Sequence, residues 1–220
     1  MPTKAVCFDV MGTLFDLSAA RRRLEAIGAP PLALEAWFHR LLHTATAVTL
    51  AGGFHPFPDL AKPALESVLA QLDLPPEKAG EVLASLGELE PHPDAADAVA
   101  RAASGGLRVI ALTNGTRENT RKLLARAGID GHFERVIATE DVGAYKPHPD
   151  VYLRAVDELQ LPAAETTLVA AHAWDVMGAR SAGLDAIWIS RLERRWPLPP
   201  RQARTAADLG EAVEQMLGES

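Results

Sequence analysis

The chain has 220 residues, of which 48% are hydrophobic and 23% are charged, and its formal net charge at pH 7 is −7. This composition is typical of a globular protein and excludes a largely disordered chain, which would carry fewer apolar residues and more charge. Acidic and basic residues are spread along the whole chain rather than gathered in a basic stripe, so nucleic acid is not an expected partner.

The first predicted element is a short apolar run from Ala5 to Val10, which we interpret as a buried strand. It contains Cys7, the only cysteine, so an intrachain disulfide is excluded. The run is too short for the apolar part of a signal sequence and far too short for a membrane span. We therefore expect a cytoplasmic protein without a membrane partner.

The next segment, residues 16–91, has apolar residues at helical spacing and no β-branched run. Leu34, Trp37 and Leu41 share one helical face. The pair Pro75–Pro76 predicts the start of a further helix, because proline is favoured in a first helical turn. We interpret residues 16–91 as an inserted helical cap domain.

The rest of the chain alternates short apolar runs with helical patterns. Such alternation favours an α/β fold with a doubly wound parallel sheet, covered by helices on both faces. We assign residues 1–15 and 92–220 to this core domain. Its further strands are predicted at Leu107–Thr113, Val136–Ala138, Thr167–Ala171 and Ala186–Ser190.

Polar residues follow four of these predicted strands. Asp9 closes the first strand, and Thr113 with Asn114 closes the second. Lys146 comes after the third, and Asp175 comes after the fourth. Open α/β sheets bind their ligands at the carboxyl ends of the strands, so these side chains are candidates for one common site.

The four segments read D-x-x-G-T, L-T-N-G, Y-K-P and a final Asp, and in this order they resemble the motifs of the haloacid dehalogenase superfamily. Each motif alone is weak, but four in order over residues 5 to about 190 are specific. The resemblance implies that Asp9 is a nucleophile that forms an ester intermediate, which water then hydrolyses. It implies that Lys146 keeps Asp9 ionised and that Thr13, Thr113 and Asn114 bind the substrate's anionic group.

Two positions separate the two main chemistries of this superfamily. Phosphatase relatives usually carry a general acid two residues after the nucleophile, where this chain has Met11, and a thioether cannot donate a proton. They usually carry a further carboxylate where this chain has Ala171. A phosphatase would here hold magnesium through Asp9, the backbone carbonyl of Met11 and Asp175, a poor ligand set. A dehalogenase would need no metal and no cofactor.

Other positions are similar to the 2-haloacid dehalogenases of the superfamily. The resemblance places an active-site tyrosine at Tyr152, and it places Met11, Phe57 and Trp174 around the substrate, although aromatic residues at such positions also serve as plain core.

Two positions depart from this pattern. Phe38 stands where those enzymes carry an anion-binding arginine, and Arg40 is the candidate replacement two residues later. His172 stands where they carry asparagine. A histidine there either positions or deprotonates the hydrolytic water, or serves only as a buried structural residue.

We therefore expect a hydrolase that resembles 2-haloacid dehalogenases and converts a small 2-haloalkanoate to a 2-hydroxyalkanoate. Two alternatives remain: a magnesium-dependent small-molecule phosphatase, and a catalytically weak member that binds a small carboxylate or a partner protein. Retention of Asp9, Lys146 and Asp175 argues against the weak member. The resemblance also implies a homodimer.

Overall fold

The structure is a computed structural model and describes residues 2–193, 195–199 and 203–218. Within these residues one sheet has six strands: β1 (Ala5–Phe8), β2 (Arg108–Thr113), β3 (Arg135–Ala138), β4 (Thr166–Ala170), β5 (Asp185–Ile189) and β6 (Arg204–Ala206). The strands lie in the order β3-β2-β1-β4-β5-β6, and each adjacent pair is parallel. This is the classical strand order of doubly wound folds, so the predicted fold class is confirmed.

The apolar run of β1 is explained by burial on both faces of the sheet. Val6 and Phe8 belong to the hydrophobic cluster on one face, and Ala5 and Cys7 belong to the cluster on the other. Burial raises the pKa of the Cys7 thiol to about 12, so this side chain stays protonated and packs as a small apolar group.

Helices cover both faces of the sheet. They are α1 (Ser18–Ala26), α2 (Ala33–Leu50), α3 (Phe57–Gln71), α4 (Ala79–Ala84), α5 (Ala95–Ser104), α6 (Arg117–Arg126), α7 (Pro149–Leu159), α8 (Ala173–Ser181) and α9 (Leu209–Leu217). In the described part of the chain none of them is both long and apolar enough to span a membrane.

The segment between residues 16 and 91 contains only helical elements, namely α1 to α4 and short 3₁₀ turns. The two chain connections to this helical layer run side by side. The amide of Asp16 donates to the carbonyl of Glu90 at 2.9 Å, and the amide of His92 donates to the carbonyl of Leu14 at 2.8 Å. The division into a core domain and a cap domain remains a prediction.

One strand was not predicted from the sequence. β6 has three residues, and only Ala206 among them is buried, so it lacks the apolar run that indicates a buried strand. β1 also ends earlier than expected, at Phe8 rather than Val10, because the chain turns away from the sheet after Asp9.

Candidate active site

The site lies at the carboxyl ends of β1 and β4, which are neighbours in the sheet. The strand after β1 lies toward one edge of the sheet, and the strand after β4 lies toward the other edge. Doubly wound folds open a crevice at this point. Asp9 follows β1 directly, and His172 follows β4 after one residue. Gly12 has a φ of +82°, and the turn it allows brings Thr13 back to Asp9.

Lys146 is the buried cation of the site. Its Nζ donates hydrogen bonds to Oδ1 of Asp9 at 2.8 Å, to Oδ2 of Asp175 at 2.6 Å and to the carbonyl of Leu112 at 3.0 Å. An ammonium has three protons to donate, so all are used. Burial alone would lower the pKa of Lys146, but the two carboxylates outweigh burial and raise it. Lys146 therefore remains charged.

The second carboxylate oxygen of Asp9 is also held. Thr13 Oγ1 donates to Oδ2 at 2.6 Å, and Nδ1 of His172 lies 3.1 Å from the same oxygen. Burial opposes ionisation, yet Lys146 and His172 together bring the pKa of the Asp9 carboxyl well below its usual range. Asp9 is therefore an ionised and oriented carboxylate.

Asp175 completes the group from the start of α8. Its side chain is fully buried, and its Oδ1 accepts a hydrogen bond from the hydroxyl of Tyr152 at 2.7 Å. Burial raises the pKa of Asp175; Lys146 opposes this shift and the nearby Asp9 charge adds to it. Asp175 and Tyr152 fix the position of Lys146, which in turn faces Asp9.

A small cavity of about 30 Å³ adjoins Asp9. Its polar walls are Asp9, Thr113, Asn114 and His172, and its apolar and aromatic walls are Met11, Phe38, Leu41, Leu42, Ala45, Phe57, Tyr145 and Trp174. We refer to it as the substrate cavity. A charged carboxylate beside a largely apolar space is suited to nucleophilic attack on a small molecule that carries an apolar substituent.

The imidazole of His172 is held between two aromatic rings. Phe38 stacks on it with ring centroids 5.4 Å apart and an interplanar angle of 23°, and the Trp174 ring lies 5.3 Å away on α8. His172 is thereby fixed in one orientation, with Nδ1 toward Asp9.

Residues 3–183 match the family model described as haloacid dehalogenase-like hydrolase. The chain belongs to this family. It is 31% identical to (S)-2-haloacid dehalogenase 4A of Burkholderia cepacia over 192 residues, covering 86% of this chain and 83% of that protein. It is 30% identical to the (S)-2-haloacid dehalogenase of Xanthobacter autotrophicus over 195 residues, covering 87% and 76%.

The similarity to haloacid dehalogenases also holds for the fold of the described residues. The structure of the L-2-haloacid dehalogenase from Xanthobacter autotrophicus with chloropropionic acid covalently bound superimposes with a TM-score of 0.90. The two proteins are 26% identical in that comparison, which covers 99% of this chain and 100% of the other.

Three of the residues predicted to bind substrate in this family member lie outside the substrate cavity. Arg40 projects from α2 toward α3, where its guanidinium donates to Ser67 at 3.0 Å and Gln71 at 2.8 Å. The structure therefore corrects the expectation that it replaces the missing anion-binding arginine. Thr13 and Tyr152 instead hydrogen-bond to the carboxylates of Asp9 and Asp175, so their geometry is that of positioning residues.

The other predicted substrate-binding residues all line the substrate cavity: Met11, Phe38, Phe57, Thr113, Asn114 and Trp174. Their contact with substrate stays a prediction. Asn114 has a further role, because its Oδ1 accepts a hydrogen bond from the backbone amide of Lys146 at 2.9 Å. It thus ties the end of β2 to the loop that carries the lysine.

Sequence reasoning missed four side chains of the cavity, namely those of Leu41, Leu42, Ala45 and Tyr145. The first three lie three, four and seven residues after Phe38 on α2, the spacing of one helical face, so helical periodicity was a signal that could have identified them. Tyr145 directly precedes Lys146, and its hydroxyl donates to the carbonyl of His55 at 2.9 Å. No sequence pattern indicated that contact.

The residues present do not fit a magnesium ion. Each of the four carboxylate oxygens of Asp9 and Asp175 already faces a protein partner, namely Lys146, Thr13, His172 or Tyr152. Ala171, which lies between β4 and His172, offers no side-chain ligand. Magnesium prefers octahedral oxygen coordination, which this arrangement does not offer.

Proposed function

We propose that the chain hydrolyses the carbon–halogen bond of a small 2-haloalkanoate and releases a 2-hydroxyalkanoate and a halide ion. The observation that carries this proposal is the ionised Asp9, held by the buried Lys146 at 2.8 Å and facing a small, largely apolar cavity. The (S)-2-haloacid dehalogenase relatives and the covalently bound chloropropionic acid in one of them support it.

In the first half-reaction a carboxylate oxygen of Asp9 attacks C2 of the substrate. A carbon–oxygen bond forms, the carbon–halogen bond breaks, and the halide leaves with the bonding electrons. No proton is required for this departure. The apolar walls formed by Phe38, Phe57 and Trp174 exclude competing water and so favour attack by the carboxylate.

In the second half-reaction water attacks Cγ of the Asp9 ester. The bond between Cγ and the ester oxygen attached to C2 breaks. One water proton passes to that oxygen, which becomes the hydroxyl of the product, and the other proton is released as Asp9 returns to a carboxylate. Lys146 stabilises the negative charge that develops on the carbonyl oxygen of the ester when water attacks. His172, 3.1 Å from Asp9, orients the water or accepts its proton.

The substrate's carboxylate is expected to bind at the start of α6. Thr113 and Asn114 line the cavity there, just before the N-cap residue Thr116. Backbone N–H groups at a helix N-terminus favour an anion. Because Phe38 supplies no positive charge from α2, these neutral donors carry most of the recognition.

Phosphatase activity is the less favoured function. A phosphate ester needs a general acid for its leaving oxygen, and Met11 occupies the position from which relatives supply it. Lys146 also lies between Asp9 and Asp175, whose carboxylates a magnesium-dependent reaction would require as ligands.

The proposal is tested by Asp9→Asn, with Asp97→Asn as the control for loss of an exposed carboxylate. We expect Asp9→Asn to lower halide release from 2-haloacids by several orders of magnitude and the control to behave as wild type, because an amide is a far weaker nucleophile. Retained activity in Asp9→Asn would contradict the covalent mechanism.

A single turnover in heavy-oxygen water provides a second measurement. The label should enter Asp9 and not the product, since water attacks the ester carbonyl. Label in the first-turnover product would mean that water attacks the substrate directly.

A further inference from the structure

A second, larger cavity of about 310 Å³ lies behind the aromatic stack of the active site. It shares four wall residues with the substrate cavity: Phe38, Leu42, His172 and Trp174. The two spaces are therefore separated by a single layer of side chains.

The two cavities differ in chemical character. The substrate cavity is largely apolar apart from the residues around Asp9. The second cavity is lined by ionisable and hydroxyl side chains, including Asp16, Ser18, Arg21, Glu35, His92 and Glu193. Buried water requires several polar partners, and the ionisable and hydroxyl side chains among the walls of the second cavity can provide them.

His172 connects the two cavities. Its Nδ1 lies 3.1 Å from Oδ2 of Asp9. The opposite edge of the ring faces Gly12, where an added methyl group would lie 3.0 Å from Cε1 and 3.2 Å from Nε2. Gly12 lines the second cavity, and no hydrogen bond within the described residues engages Nε2. One imidazole thus contacts both the nucleophile and the polar space.

The second cavity offers a source of water that is separate from the space for the substrate. Each turnover consumes one water molecule, and this water must reach Cγ of Asp9 while the ester occupies the substrate cavity. Water that used the substrate's own route would have to pass the bound acyl group and the apolar walls. Water that arrived from the side of His172 would avoid both the acyl group and these walls.

We propose that the second cavity supplies the water for ester hydrolysis, delivered past His172 to Asp9. The inference rests on the proposed function, because the water attacks the Asp9 ester that the proposed mechanism forms. The water oxygen forms a bond to Cγ, and the bond from Cγ to the ester oxygen attached to C2 breaks. One water proton moves to that oxygen, and the second leaves to solvent through the polar cavity.

The test places a reversible plug in the cavity with Ser18→Cys. Cys7 is buried, so the introduced thiol is the one that a methanethiosulfonate reagent reaches among the cysteines of the variant. The plug is a methyl or benzyl group attached through a disulfide and removed with reductant, so each protein serves as its own folding control. Ser104→Cys, at an exposed position at the end of α5, is the matched control.

Halide release and intact-protein mass are followed after rapid mixing with a 2-haloacid. We expect the benzyl plug at position 18 to leave the initial halide burst unchanged and to slow steady-state turnover about tenfold, equivalent to a barrier about 1.4 kcal/mol higher. The ester should accumulate, and reductant should restore turnover. The plugged Ser104→Cys protein should match wild type.

Three results would overturn the inference. Fully plugged protein with normal turnover would show that water arrives elsewhere, and equal slowing of burst and turnover would assign the cavity to the substrate. A thiol that neither reagent labels would show that the cavity is closed to solvent. Wild-type protein that releases no halide from any 2-haloacid would instead overturn the proposed function, and the water route with it.

Discussion

Lys146 is the residue on which the chemistry of the site depends. It is buried, and its single positive charge faces the two carboxylates of Asp9 and Asp175. The group as a whole therefore carries one net negative charge in a region of low dielectric. This arrangement keeps the pKa of Asp9 well below its usual range, so the nucleophile stays ionised in mildly acidic as well as neutral solution.

Replacing Lys146 by methionine should move the acid limit of the first half-reaction to higher pH. The change removes the charge but keeps much of the side-chain volume, so burial is left to raise the pKa of Asp9. At a given acidic pH a smaller fraction of Asp9 is then ionised. The measurement is the rate of the halide burst between about pH 4 and pH 8.

Lys122→Met is the control for this experiment, because Lys122 pairs with Glu118 on the surface. It should leave the pH profile unchanged. Removing one partner of a buried ion pair costs about 3–5 kcal/mol, so the fold of Lys146→Met is verified first. A folded variant with the wild-type acid limit would contradict the role given to Lys146.

His172→Ala should slow the second half-reaction while leaving the first largely intact. The side chain that orients or deprotonates the water is lost, and such assistance is typically worth about 10²-fold to 10⁴-fold. The Asp9 ester should then accumulate and increase the mass of the intact protein by the acyl fragment. The halide burst should approach one equivalent.

The exposed His132 provides the matched control, as His132→Ala should not alter either phase. Equal slowing of burst and steady state in His172→Ala would instead assign this histidine to substrate positioning. An unfolded variant would favour a purely structural role, and the smaller change His172→Asn would then be measured.

At the scale of elements, α2 decides which side chains meet the substrate. Successive residues of an α-helix are rotated by 100°, so neighbours in sequence point to different surroundings. Phe38, Leu41 and Ala45 face the substrate cavity, whereas Arg40 faces α3 and hydrogen-bonds to Ser67. Arg40 therefore does not take the place of the arginine that the family resemblance would place at position 38, because its side chain points to α3.

This geometry predicts opposite outcomes for two substitutions in the same helix. Arg40→Ala should leave kcat/KM for 2-haloacids within about twofold of wild type, because its guanidinium hydrogen-bonds to α3 and does not line the substrate cavity. Phe38→Ala should lower kcat/KM clearly, since it removes a wall of the cavity and the stacking partner of His172. A large loss of kcat/KM in folded Arg40→Ala would place its side chain near the substrate during turnover.

At the scale of the whole molecule, the fold gathers four distant segments into one site. Asp9 and Lys146 are separated by 137 positions in sequence, yet their side-chain atoms lie 2.8 Å apart. Parallel strands all end at the same edge of the sheet, so residues that follow β1, β2, β3 and β4 meet there. Helix α2 then closes the site from the opposite side.

The completed site predicts turnover without an added metal ion. Because every oxygen of the two carboxylates already has a protein partner, halide release after dialysis against EDTA should stay within about twofold of that of the untreated protein. Halide and phosphate release are measured in parallel, each with and without chelator. Activity that EDTA abolishes and magnesium restores would favour the phosphatase alternative despite Met11.

The sequence by itself determined the fold class, and it predicted three residues that the structure brings together at the strand ends. Short apolar runs alternating with helical patterns are local signals, and the sheet they form is parallel as predicted, with β6 as an additional strand. Asp9, Lys146 and Asp175 were expected together because each follows a predicted strand. The site is formed by residues that follow strand ends, and the sequence alone indicates where those strands end.

Only the tertiary structure decided how the remaining side chains are used. It directs Tyr152 to Asp175 and Arg40 to Ser67, and it places Tyr145 in the substrate cavity. It also creates the polar cavity behind His172. These features depend on how each helix is rotated and seated against the sheet. That rotation is set by packing between residues far apart in sequence, which local periodicity does not encode.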